Sequence, residues 1–166
     1  MLDVSRIRTG TLSIRPARFD LAQLVRNLVE NFAPQVAAAD SSMHLETEGP
    51  VEGNWDEFRI EQVVSNLLTN ALRYGAKSPV EVRVYTEHGE ARVEVRDHGI
   101  GISEDNQKRI FQQFERVSAS HVSAGLGLGL FISEQIVAAH GGTIEVQSQI
   151  GEGALFRACL PLEAAA

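Results

Sequence analysis

A strict period-two alternation of valines between residues 80 and 95 constrains the fold of this chain more than any other feature. The alternating apolar positions are Val80, Val82, Val84, Val93 and Val95. Such alternation is typical of strands that bury one face and expose the other. The polar segment His88-Gly89-Glu90 lies between the two runs and predicts a hairpin connection. The chain therefore needs a further layer that covers the valine face.

Helical patterns supply that layer. A first helix follows Asp20, a good N-cap residue, and its apolar positions are Leu21, Leu24, Val25, Leu28, Val29 and Phe32. A second helix is predicted from about Asp56 to Tyr74, where Gly75 ends it. Its apolar stripe consists of Ile60, Val63, Val64, Leu67 and Ala71. A third helix is predicted from about Leu128 to His140.

The remaining segments complete a two-layer arrangement. Strands are predicted at Met43–Thr47, Thr143–Gln147 and Ala154–Leu160, and the last two are expected to form a hairpin. The other predictions are a turn-rich stretch over 48–54, a short helix over 104–113 and a loop over 115–124. Strands mixed with helices in this order indicate an α/β two-layer sandwich. Its sheet is expected to be mixed, mostly antiparallel, and covered by helices on one face.

Composition narrows the class of protein. The 166 residues include 22 acidic and 15 basic side chains, a formal net charge of −7. That excess argues against a nucleic-acid-binding surface, which is usually basic. Cys159 is the one cysteine, so an intramolecular disulfide is excluded, and its apolar surroundings predict a core position. We expect a soluble domain in the cytoplasm.

Polar residues on the second helix form the first candidate site. Asn66 and Asn70 are four residues apart and share a helical face, which Arg73 and Tyr74 continue. Amide oxygens, a guanidinium and a phenol in that arrangement suit a metal ion and polyphosphate. A solvated polar face opposite the apolar stripe is the alternative for this stretch alone.

The segment Asp97–Ile102 is the second candidate site. Strand alternation carries Asp97 toward the buried face, where a carboxylate needs a hydrogen-bond donor. The amino group of a purine would satisfy it, and Gly99 and Gly101 would let the backbone approach a flat ligand closely. An ordinary Asp-x-Gly turn is the alternative.

A third candidate site precedes or opens the third helix. Its residues are Gly125, Leu126, Gly127, Leu128, Gly129 and Leu130. Glycines that expose backbone N–H groups beside a helix N-terminus are typical of an anion site. A glycine loop packed for steric reasons is the alternative. Just upstream, Phe111 and Phe114 are expected to be core anchors of the short helix, which would also fix one end of a mobile lid, and Arg116 is either a phosphate ligand or a surface arginine.

Four segments in this order resemble the histidine-kinase catalytic domain of the GHKL ATPase superfamily. The N box resembles Glu61–Tyr74, the first glycine box Asp97–Ile102, the F box Ile110–Arg116 and the second glycine box Gly125–Leu130. The similarity extends over about 19–162. Residues 1–18 resemble the remnant of a dimerisation helix and a linker, and 163–166 form a tail.

The resemblance implies a role for each matching position. Asn70 would coordinate Mg²⁺ on the phosphates of ATP, with Asn66 assisting, and Asp97 would accept a hydrogen bond from the adenine amino group. The base pocket would be completed by Gly99, Gly101, Ile102 and Phe114. Arg73, Tyr74 and Arg116 would contact phosphate or ribose. The second glycine box would border the phosphates and let the lid move.

The implied reaction is transfer of the ATP γ-phosphoryl group to a histidine. Hydrolysing members of the superfamily carry a glutamate four residues before the metal-binding asparagine, whereas this chain has Asn66, which cannot act as a general base. The resemblance also implies partners: a dimerisation and phosphoacceptor domain of the parent protein, and a response regulator downstream. The parent is expected to be a homodimer and the isolated domain a monomer; anchoring of the parent in the inner membrane stays open.

Two departures from the family pattern qualify this interpretation. The acceptor histidine motif is missing, and Ala154 replaces a threonine that often lies near the adenine carboxylate. Three alternatives remain: a nucleotide-binding regulatory module without kinase activity, a serine kinase of the anti-sigma type, and a GHKL hydrolase, which Asn66 disfavours.

Overall fold

The computed structural model describes residues 12–75, 77–108, 110–111 and 124–163, with side chains from residue 129 onward in the last range. The elements in chain order are β1 (Ala17–Asp20), α1 (Leu21–Asn31), α2 (Ala33–Ala38), β2 (Ser42–Thr47), β3 (Glu52–Trp55), α3 (Glu57–Tyr74), β4 (Pro79–Glu87), β5 (Glu90–Arg96), α4 (Glu104–Gln107), α5 (Ala124–Ala139), β6 (Thr143–Ser148) and β7 (Ala154–Pro161). No helix in these ranges is both long and apolar enough to cross a membrane.

Five strands form the main sheet in the order β2-β4-β5-β7-β6. Strand β2 runs parallel to β4, and the other three pairings are antiparallel. The valine alternation sets the register, because Val82 lies opposite Val95 and Val84 opposite Val93. His88 and Gly89 connect β4 to β5 with positive φ angles of 55° and 76°, as a two-residue hairpin turn requires. The predicted mixed, mostly antiparallel sheet is confirmed.

Helices α1, α3 and α5 cover one face of this sheet. The valines of β4 and β5 are at most 1% exposed, and the apolar stripe of α3 is at most 3% exposed. Two aspartates start the helices: the Asp20 Oδ1 accepts the N–H of Ala22 at 3.0 Å, and the Asp56 Oδ1 accepts that of Arg59 at 3.2 Å. Burial of each large apolar side chain contributes about 1.5–3 kcal/mol, so the helical layer depends mainly on this face.

Three sequence predictions need correction. The stretch predicted as turns over 48–54 contains most of β3, which pairs with β1 in a small second sheet because Trp55 is fully buried and ties this segment to β7. The short helix predicted over 104–113 ends at Gln107. Helix α5 begins at Ala124 rather than near Leu128, so the glycine-rich segment is helical. The predicted loop lies largely outside the described residues.

The opposite face of the sheet is polar and carries a charge row that crosses all five strands. Its members, in the spatial order of the strands, are Glu46, Arg83, Glu94, Arg157 and Glu145. Successive members form ion pairs with N···O distances of 3.1, 3.3, 2.8 and 3.3 Å. At the centre, burial alone would raise the pKa of Glu94, but hydrogen bonds from Tyr85 and Arg157 outweigh it and lower that pKa.

Candidate functional site

A cavity opens between the C-terminal end of α3 and the loop that follows β5. It encloses about 370 Å³ when its open mouth is included. The described residues that line it are Asn70, Tyr74, Asp97, Ile100, Gly101, Ile102, Leu130, Ala154 and Phe156. Two segments that the sequence singled out separately, on α3 and after β5, therefore share one cavity.

Asp97 supplies a buried carboxylate at this cavity. The residue is 4% exposed, and its Oδ1 accepts the backbone N–H of Gly99 at 2.9 Å. Its backbone pairs with that of Ala154, which extends the β5–β7 ladder by one residue. Burial raises the pKa of Asp97, although the bond from Gly99 acts in the opposite direction. A carboxylate has about four lone-pair sites, so Asp97 has acceptor capacity left for a ligand.

Two glycines hold the Asp97 loop against neighbouring backbone. A Cβ at Gly99 would lie 1.9 Å from the carbonyl oxygen of Tyr74, and a Cβ at Gly101 would lie 2.0 Å from that of Gln149. Only glycine allows such close approach of backbone to backbone. The contact at Gly99 joins the loop directly to the last turn of α3. The carboxylate and the polar end of α3 are thereby fixed relative to each other.

Asn70 and Tyr74 present polar atoms with no partner. They lie four residues apart on α3, and both line the cavity. The Asn70 Oδ1 and the Tyr74 hydroxyl are buried, and neither has a hydrogen-bond partner within 3.5 Å among the residues that the structure describes. Burial raises the pKa of the Tyr74 hydroxyl, partly offset by the neighbouring Arg73 guanidinium. Buried polar groups are almost always paired, so these two atoms indicate a ligand that would satisfy them.

The other two predicted residues of α3 lie elsewhere. Asn66 is not among the residues that line the cavity; its Nδ2 donates to the Gly129 carbonyl at 3.3 Å and to the Ser133 Oγ at 3.2 Å. Arg73 is exposed and borders a shallow groove beside α2; its guanidinium neighbours the Tyr74 hydroxyl, but the residue does not line the cavity. The polar face that the sequence predicted is therefore divided, with Asn70 and Tyr74 at the cavity and Asn66 at the contact with α5.

The second glycine box is described only in part. Gly125, Leu126, Gly127 and Leu128 belong to the backbone of α5, and Leu130 is buried at the cavity wall. Phe111 packs edge-on against Phe156, with ring centroids 6.3 Å apart. The predictions for Phe114, Arg116 and a lid lie outside the described residues.

Sequence reasoning missed two lining residues, Ile100 and Phe156. Phe156 shares the helix-facing side of β7 with Ala154 and Ala158, so its alternation was the available signal. Ile100 is 58% exposed at the mouth of the cavity, and no pattern in the sequence distinguishes it. Together the site is an apolar slot whose polar side-chain groups are the Asp97 carboxylate, the Asn70 amide and the Tyr74 phenol.

Comparison with known proteins shows which family this chain belongs to. The profile of the family described as histidine kinase-, DNA gyrase B- and HSP90-like ATPase matches residues 55–164. Sensor histidine kinase MtrB of Mycobacterium leprae is 33% identical over 167 residues, which cover 98% of this chain and 29% of that protein. The alginate biosynthesis sensor protein KinB of Pseudomonas aeruginosa is 34% identical over 164 residues, covering 98% of this chain and 27% of that protein.

Solved structures resemble the fold over most of its length. The catalytic domain of histidine kinase ThkA matches with a TM-score of 0.80 at 25% identity and covers 90% of this chain and 97% of that one. Full-length ShkA in complex with AMPPNP matches with a TM-score of 0.81 at 28% identity, covering 93% of this chain and 33% of that one. The chain thus spans less than a third of the curated relatives named above.

Proposed function

Because the chain belongs to the family of histidine kinase-, DNA gyrase B- and HSP90-like ATPases, we propose that its cavity binds Mg-ATP for phosphoryl transfer to a histidine. The acceptor would belong to a phosphoacceptor domain of the parent protein. The observation that carries the proposal is that Asp97 and Asn70 line the same cavity, at the end of β5 and on α3. One nucleotide in this cavity would then contact both a base-selecting acceptor and a phosphate-side amide.

The slot beside Asp97 suits the adenine base. Ile102, Ala154 and Phe156 provide apolar walls for a flat ring, and Asp97 provides an acceptor for the exocyclic amino group. Ala154 has no hydroxyl group, so Asp97 is the polar side chain that would recognise the base among the described lining residues. Recognition of the base would therefore depend on a single carboxylate.

The Asn70 and Tyr74 side chains suit the phosphates and a magnesium ion. The unpaired Asn70 Oδ1 is the kind of oxygen ligand that Mg²⁺ takes, and the Tyr74 hydroxyl would donate to a phosphate or ribose oxygen. Magnesium, when bound, would neutralise charge that develops on the transferred phosphoryl group. No three histidine, cysteine or carboxylate side chains converge in the part of the chain that the structure describes. A magnesium ion would therefore be held by a single amide oxygen together with phosphate oxygens.

The carboxylates that line the cavity favour phosphoryl transfer to a histidine over hydrolysis of ATP. Asp97 is the one carboxylate among the described lining residues, and it is bonded to Gly99 at the base end. Asn66 is an amide and cannot deprotonate water. Because no other described lining residue carries a carboxylate, these residues offer an attacking water molecule no general base, whereas the imidazole of a histidine acceptor is nucleophilic without one.

The relatives suggest the context in which this domain acts. MtrB and KinB are sensor proteins several times longer than the matched region, and ShkA was solved with AMPPNP. We propose a homodimeric parent with a dimerisation and phosphoacceptor domain, and a response regulator as the final acceptor.

Two measurements test the proposal. Calorimetric titration with ATP and Mg²⁺ is expected to show one site, and incubation with the parent's phosphoacceptor domain is expected to transfer label from γ-labelled ATP to that domain. Binding without transfer would favour a regulatory module. Transfer to serine, or repeated turnover of ATP by the isolated domain, would favour the serine kinase or the hydrolase.

A further inference from the structure

Asn66 connects the two helices that border the cavity. It lies one turn before Asn70 on α3, and its Nδ2 is 3.3 Å from the carbonyl oxygen of Gly129 and 3.2 Å from the Oγ of Ser133. Ser133 is fully buried, and its Oγ accepts the hydrogen bond from Asn66. Both acceptors belong to α5.

The Gly129 carbonyl determines which way the Asn66 amide points. A backbone carbonyl only accepts hydrogen bonds, so the amide must turn its NH₂ group toward α5. The opposite orientation would bring two carbonyl oxygens together. The donor half of Asn66 is thereby committed to α5.

The first turns of α5 need such an external contact. Glycine costs about 1 kcal/mol relative to alanine inside a helix, and α5 has Gly125, Gly127 and Gly129 within its first six residues. At Gly129 the position of an added Cβ would be 3.7 Å from the Asn66 side chain, so the amide packs directly on the glycine backbone. Leu130, the next residue, is 2% exposed and lines the cavity.

We propose that Asn66 is a positioning residue, with Ser133 as its partner, that holds the glycine-rich start of α5 against α3. This role is carried by the Nδ2 atom and does not require Asn66 to bind magnesium, the auxiliary role expected from the resemblance; it rests on the proposed function only for its effect on nucleotide binding. Asn66 would set the position of the Leu130 wall, while Asn70 faces the ligand.

Hydrogen exchange of the nucleotide-free chain tests the helix contact by itself. Asn66→Ala is expected to speed exchange of amides in the first half of α5 by about two- to tenfold, the worth of one or two hydrogen bonds. Ser133→Ala should act in the same direction more weakly, and it serves if Asn66→Ala fails to fold. Asn27→Ala, at an exposed asparagine of α1, is the matched control and should leave α5 unchanged. Unchanged α5 exchange in both variants, or a rise spread evenly over the sheet, would overturn the proposal.

Nucleotide titrations then separate positioning from metal binding. For Asn66→Ala we expect ATP affinity to fall by about the same two- to tenfold factor with Mg²⁺ and with EDTA, because α5 moves in both cases. A loss confined to the Mg²⁺ titration would refute the positioning role and restore a metal ligand. If the unaltered chain binds no nucleotide, the proposed function fails, while the exchange experiment still decides whether Asn66 holds α5.

Discussion

Replacement of Asp97 by asparagine changes one atom at the proposed base pocket and leaves the loop intact. The amide oxygen of Asp97→Asn can still accept the Gly99 N–H, which the wild-type Oδ1 accepts at 2.9 Å. The second oxygen becomes an NH₂ donor. That donor would face the exocyclic amino group of adenine, which is also a donor.

The expected loss follows from those contacts. A hydrogen bond to a charged group contributes about 1.5–3 kcal/mol, and a buried group left unpaired costs about 1–3 kcal/mol more. Together they predict a loss of ATP affinity of at least about 2.5 kcal/mol, or roughly sixtyfold, since about 1.4 kcal/mol corresponds to tenfold. The free energy of unfolding should respond differently to Asp97→Asn. Burial disfavours the charged carboxylate and raises the pKa of Asp97, so the neutral amide avoids that cost. We therefore expect the free energy of unfolding at pH 7 to stay the same or to rise.

Calorimetry with ATP and inosine triphosphate provides the assay. Inosine carries a carbonyl where adenosine carries the amino group, so Asp97→Asn should lower or invert the preference for ATP. Asp105→Asn, at an exposed carboxylate of α4, is the control and should change neither affinity nor preference. An Asp97→Asn variant that is folded and binds ATP as tightly as the unaltered chain would refute the base assignment.

Three further predictions address the metal end, the loop contact and pH. Asn70→Ala should leave urea unfolding nearly unchanged, because the lost Oδ1 has no partner among the described residues. The same variant should abolish the gain in ATP affinity on adding Mg²⁺, and a retained gain would contradict the metal role. Gly99→Ala places a Cβ 1.9 Å from the Tyr74 carbonyl oxygen, so it should lower the free energy of unfolding by about 1–3 kcal/mol and also weaken ATP binding. A variant as stable as the unaltered chain would disprove the close contact. His140 is fully buried, and its Nε2 accepts the Asp56 N–H at 3.0 Å; burial lowers its pKa below 6.5, so the unfolded chain binds the proton more readily. Stability should therefore fall as pH drops below about 6.5 and level off below the folded pKa, and urea midpoints that are equal at pH 7.5 and 5.5 would contradict this.

The parts of the fold that depend on local pattern were predictable. Asp56 and Gly75 bound α3 as expected, and the valine alternation gave β4, β5 and their register. Strand β3 was missed because its residues favour turns, and the tertiary burial of Trp55 overrides that preference. Helix α5 starts early for a related reason: packing on α3 outweighs the low helix propensity of its glycines.

The candidate site was predictable in its residue types and less so in its geometry. Helical spacing placed Asn66, Asn70 and Tyr74 on one face, but an α-helix turns by 100° per residue, so small rotations decide which side chains reach a cavity. Only the packing of α5 shows that Asn66 faces Gly129 while Asn70 stays unpaired. The contribution of Phe156 depends on a strand far along the chain, which spacing alone cannot align.

The charge row across the open face ends on a glutamate at each side of the described sheet, Glu46 on β2 and Glu145 on β6. Both outer strands expose backbone groups that could template pairing with another chain. A second copy that paired edge to edge in line with this row would bring two carboxylates side by side, without an arginine between them. The row therefore disfavours edge-to-edge pairing of two copies of this domain in that register.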